Sequence, residues 1–119
     1  MASHPQPSRR YLFLAVVAGI AVGTLIELPA LFAAIMSAGA GHGDYVAARM
    51  LFPVSMLLTL IEGSIGPISQ SVALIQFPLY GALLGWSISR KSYKAAVLAA
   101  SLHLAAAVVC FMGILPSFS

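Results

Sequence analysis

From Tyr11 to Ser37 the chain runs 27 residues with a single charged side chain, Glu27, and a single proline, Pro29. A helix that crosses a bilayer needs about 20 consecutive apolar residues, so this run is long enough to span with tilt to spare. A second run, Ile68 to Ser89, has 22 residues and no charge, and a third extends from Ala95 to Phe118. Few soluble folds can hide three such segments. Only 8% of the 119 residues are charged, against about 25% in an ordinary soluble domain. Too few polar side chains remain to cover a water-facing surface. Lipid is therefore the expected solvent for most of this chain, and the expected fold class is all-α.

The charges cluster between the apolar runs: Arg9 and Arg10, then Asp44 and Arg49, then Arg90, Lys91 and Lys94. The formal net charge of +3 is spread over short connections, with no basic stripe or interleaved aromatics. It reads as a topology signal rather than a nucleic-acid footprint, and nucleic acid is not an expected partner. Trp86 and Tyr93 stand where headgroup-boundary rings are expected. The lone Cys110 excludes an internal disulfide and reads as a small packing residue.

Residues 1–10 read as a disordered basic tail, followed by one helical domain over 11–119. "SRRYLFL" has the loose form of a twin-arginine export signal, with "AGA" (38–40) as a small-residue cleavage site. The apolar run is about twice the 7–15 residues of a signal core, which argues for retention as a span.

Four helices are expected, at about 11–38, 45–62, 68–89 and 93–115. The second is the uncertain one. Met50 to Ile61 offers only 12 apolar residues, about 18 Å of helix. Counting from Tyr45 gives 17, the lower limit for a span if Arg49 snorkels. Two arrangements compete. In a four-helix bundle, "EGSIGP" (62–67) is an aqueous turn, and a short second span separates Arg9 and Arg10 from the other four basic residues. In the alternative, three spans plus a re-entrant segment, Arg9, Arg10, Arg90, Lys91 and Lys94 share one side and Arg49 the other. That 5:1 split obeys the positive-inside rule better. A re-entrant segment must satisfy its backbone within protein, which is demanding for a small chain. The four-helix bundle is the expectation carried forward.

An apolar bundle has to accommodate Glu27, Glu62, Gln70, Gln76 and His103. Ionisable groups at mid-bilayer cost about 2.5–3.5 kcal/mol on insertion scales, so their presence asks for a reason. At 1.5 Å per residue, Glu27, His103 and Gln76 fall about 24, 15 and 12 Å from the starts of their helices, so one layer can hold all three. They form the candidate site: either a proton- or cation-responsive Glu27/His103 cluster, or hydrogen bonds that fasten helices. Glu62 reads as a solvated terminal residue. "GHGD" offers His42 and Asp44 as a metal pair, but two ligands do not close a site, and Asp44 is better placed to cap the second helix. No metal or cofactor is expected.

"GIAVG" (Gly19, Gly23) and "GALLG" (Gly81, Gly85) repeat glycine at one-turn spacing, a pattern that lets helix backbones approach. Ala96, Ala100 and Ala107 give the last helix a smooth face that also carries His103. Pro29, Pro53 and Pro78 are expected to kink their helices. No nucleophile–base pair or cofactor motif stands out. Three readings remain: an accessory, regulatory or immunity-type membrane protein acting through helix contacts, a small oligomeric transporter or channel subunit, or an intramembrane enzyme. The expected partners are the lipid bilayer and either further copies of the chain or another membrane protein. Basic loops and small size fit a multi-pass protein of a bacterial inner membrane.

Overall fold

The computed structural model describes residues 5–39 and 43–115. His4, His42, Pro116 and part of the "AGA" stretch lie outside these residues. The described chain is helical with no strand: α1 (Arg9–Ala38), α2 (Val46–Leu51), α3 (Pro53–Glu62), α4 (Pro67–Arg90) and α5 (Lys94–Cys110).

Helices α1 and α4 form the backbone of the fold. Both are long and apolar enough to cross a membrane by length and composition. Only 11% and 17% of their most apolar windows are buried, which separates them from the core helices of a soluble protein. Ser8 caps α1, its hydroxyl accepting from the Tyr11 amide at 3.1 Å, so the helix starts two residues earlier than expected. Pro29 and Pro78 lie inside α1 and α4 without ending them.

The two helices run antiparallel, as their glycine contacts show. A Cβ on Gly19 would strike the Gly81 carbonyl, and one on Gly81 would strike the Gly19 carbonyl. Gly85 meets the Ala15 carbonyl in the same way, and Gly23 meets Phe77 and Pro78. All four glycines of the two G-x-x-x-G patterns therefore lie in one interface. Glycine is required there because each backbone occupies the space where the other's side chain would stand.

The expected continuous helix over 45–62 is corrected to two. Phe52, at φ −128° and ψ 53°, separates α2 from α3. Pro53 has no N–H to donate to the Arg49 carbonyl, and its ring excludes a regular preceding turn. It stands instead at the first turn of a new helix, where its fixed φ suits it.

The two pieces form a helical hairpin. It begins beside the end of α1, where the Tyr45 amide donates to the Ser37 carbonyl and the Ala48 amide to the Ser37 hydroxyl. Its apex, Met50 to Phe52, reaches the middle of α4 and α5, with the Phe52 and Phe77 ring centroids 5.4 Å apart. It then returns to the start of α4, where Glu62 meets Ile68 and Ser69. Entry and exit thus lie at the same end of the α1–α4 pair. The last helix, expected to 115, ends at Cys110, and the chain turns through Gly113 at φ 80°.

Candidate functional site

Three polar side chains gather at the hairpin apex. The break at Phe52 interrupts the helical ladder, so the carbonyls just before it need donors from elsewhere. Gln76 Nε2 donates to the Leu51 carbonyl at 2.6 Å, and His103 Nε2 lies 2.8 Å from the Met50 carbonyl. A carbonyl only accepts, which assigns the imidazole hydrogen to Nε2. Nδ1 pairs with the Tyr80 hydroxyl, 2.8 Å away. One residue from α4 and one from α5 thus close the opening that Pro53 makes.

An aromatic row supports this arrangement. Phe52, Phe77, Tyr80 and His103 meet edge to face in sequence, at centroid separations of 5.4, 5.9 and 5.6 Å. Edge-to-face geometry sets the positive ring edge against the negative face of the next ring. The row ties the apex through α4 to α5 and fixes the orientation of the imidazole. Below the apex, the buried Cys110 thiol points at the Pro53 carbonyl at 3.4 Å.

Glu27 is placed differently. Gly23 brings α1 against the Phe77–Pro78 backbone, and Glu27 lies one turn further on the same face. Its Oε2 accepts from the Phe77 amide at 3.2 Å, directly before the ring that disturbs the preceding turn of α4. The residue is 4% exposed, and its Oε1 has no hydrogen-bond partner. Gln76 is 6% exposed, and its Oε1 likewise has none. Glu27 and Gln76 therefore meet the same peptide unit, one through its amide and the other through its own backbone. Glu27 and His103 do not bond to each other: the first reaches α4 and the second the hairpin.

Glu62, read from sequence as a solvated terminal residue, caps α4. Its Oε1 accepts from the Ile68 amide and its Oε2 from the Ser69 amide, both at 2.9 Å, and Oε2 also receives the Ser69 hydroxyl. These bonds hold its carboxyl below the usual carboxylate range, the Ser69 hydroxyl contributing most. A Glu lying five residues before a Pro-initiated helix could have suggested this role, since such a helix leaves its first amides without partners. Ser69 is also bound from the other side, its carbonyl accepting from the buried Ser55 hydroxyl, so one residue locks α3 to α4. Gln70 bonds locally to the Ile65 carbonyl. Asp44 accepts from the Val46 amide at 3.1 Å, capping α2. Its proposed metal partner, His42, lies outside the described residues. Among those residues no group of three or more His, Cys, Asp or Glu is arranged to hold a metal ion.

Beside the His103–Tyr80 pair, a groove of about 500 Å³ opens between α4 and α5. Leu83, Leu84 and Phe77 form one wall, and Ala96, Ala99 and Ala100 the other. No protein-family model, curated protein or solved structure matches the chain.

Proposed function

We propose that the chain is an integral membrane protein with three spans, α1, α4 and α5, and a re-entrant hairpin formed by α2 and α3. Its basic connections face the cytoplasm. The observation that supports this topology is the return of α3 to the end of α4 nearest α2, with the Arg49 guanidinium over Phe111 at the end of α5, away from the other basic residues. This is the alternative weighed from the sequence, in place of the four-span bundle. The objection to it was unsatisfied backbone at membrane depth. Gln76 and His103 answer that objection by capping the Leu51 and Met50 carbonyls.

The activity we propose is accessory: the protein binds another membrane protein through a helix. The groove between α4 and α5 supports this reading. In lipid, helix association draws on close packing, and small residues mark the surfaces where a second backbone can approach. The alanine wall of α5 is such a surface, and the leucine wall of α4 offers ridges opposite it. Photo-crosslinkers at Leu83 and Ala100, in native membranes, should give one discrete adduct with a membrane protein other than this chain. Adducts only with lipid or with further copies would reject the reading.

A second reading, a small proton- or cation-coupled transporter subunit, is favoured by one observation: the buried Glu27 oxygen without a partner. Proteoliposomes of the purified chain should then show a pH-dependent flux that Glu27→Gln abolishes. Flux equal to that of empty vesicles would reject it.

A further inference from the structure

We propose that Glu27 is a proton-binding site, its carboxyl held as the neutral acid at the α1–α4 interface with the proton on Oε1. The two oxygens of this carboxyl are unequal. Oε2 is satisfied by the Phe77 amide, whereas Oε1 is buried with no donor. An ionised carboxylate wants donors on both oxygens and a compensating charge when water is absent. The first is half met.

The second is not met by any neighbour. Helix α1 packs against α4 and α2. On α4, Arg90 donates to Gln6 at the far end of the interface, and the Tyr80 hydroxyl pairs with His103. On α2, the Arg49 guanidinium lies 5.6 Å over the Phe111 ring, towards α5, and Tyr45 precedes the helix beside Ser37. His103, on α5, spends both ring nitrogens on Met50 and Tyr80. Among the described residues, no cation forms an ion pair with Glu27.

A proton removes both deficits at once. It cancels the charge, and it turns Oε1 from an orphaned acceptor into a donor. Gln76, whose backbone carbonyl belongs to the peptide unit that Glu27 bonds, carries a second buried acceptor without a donor, its side-chain Oε1. The ligand class is the hydron rather than a metal cation, which would require several convergent oxygens, whereas the unpartnered oxygens of Glu27 and Gln76 are only two. The functional meaning of this site rests on the transport reading; its existence does not.

Infrared difference spectroscopy on the full chain in lipid tests it. At neutral pH, wild type minus Glu27→Gln should show the loss of one protonated-acid carbonyl band and of no carboxylate band, in sodium, potassium or choline buffer alike. Loss of carboxylate stretches, in all buffers or in sodium only, would overturn the proposal. Should Glu27→Gln misfold, the Glu62→Gln variant labelled with carboxyl-13C glutamate isolates Glu27 in its native site and reads the same two signatures. Because the measurement reports protonation without transport, a protonated Glu27 with no flux would sink the transport reading and leave this one standing.

Discussion

The imidazole of His103 donates to the Met50 carbonyl across 2.8 Å, joining α5 to the apex of a hairpin 53 residues earlier in the chain. This contact turns a histidine in an apolar helix into the plug for a broken one. In the lipid setting proposed above, its energetic weight comes from the alternative, a lipid-facing carbonyl without a donor, which costs about 1–3 kcal/mol.

Replacing His103 with Ala should therefore destabilise the protein by about 1–3 kcal/mol in detergent. Gln76→Leu should cost a similar amount by exposing the Leu51 carbonyl to the same deficit. The two act on adjacent carbonyls, so their effects should not add. A double-mutant cycle read by thermal unfolding checks both statements. Additive losses would show that the apex is satisfied independently at each carbonyl.

The glycine interface predicts a steep, local intolerance to size. Gly19→Leu or Gly81→Leu would force apart two backbones in direct contact, costing at least the roughly 1–3 kcal/mol of ordinary overpacking. Ala21→Leu, on the exposed side of α1, should change little. Thermal melting of the three variants in one detergent ranks them. Equal melting points would mean that α1 and α4 do not meet through these glycines.

Glu62 makes the stability depend on pH in one direction. Its folded carboxyl is held below its ordinary value by the Ser69 hydroxyl and the α4 amides, so its contribution is present above that ordinary value. It is lost as the pH falls through the lowered folded value. Wild type should therefore lose thermal stability on acidification through and below the carboxylate range more steeply than Glu62→Gln. Parallel pH profiles for the two proteins would remove Glu62 as a cap of consequence.

Topology is checked with reporter fusions. After Arg10 and after Ser92 they should report the same side, and after Ser119 the opposite side. Termini on one side would restore four spans and displace the re-entrant hairpin.

Much of the molecule is legible in its sequence. The apolar runs mark α1 and α4 to within two residues at every end, because helix ends follow caps, prolines and charges that are local in sequence. The glycine spacing in "GIAVG" and "GALLG" picked out the faces that meet, since removing side chains one turn apart is useful only where something approaches closely. The polar candidates Glu27, Gln76 and His103 stand out in apolar helices for the cost of burying them, a property of each residue by itself.

Other features depended on residues far apart in the chain. Nothing in residues 45–62 says whether Pro53 bends a helix or ends it. That choice depends on donors from Gln76 and His103, 25 and 53 residues away from the carbonyls they cap. Glu62 looked solvated until α4 placed its amides against it, and Glu27 looked like a partner for His103 until each was drawn to a different helix. Composition and periodicity determined that this chain is helical and where its long apolar helices lie, because hydropathy is summed along the sequence. Only the tertiary structure decided which polar group meets which, because hydrogen bonds act across space and one buried donor satisfies whichever acceptor the packing brings within reach.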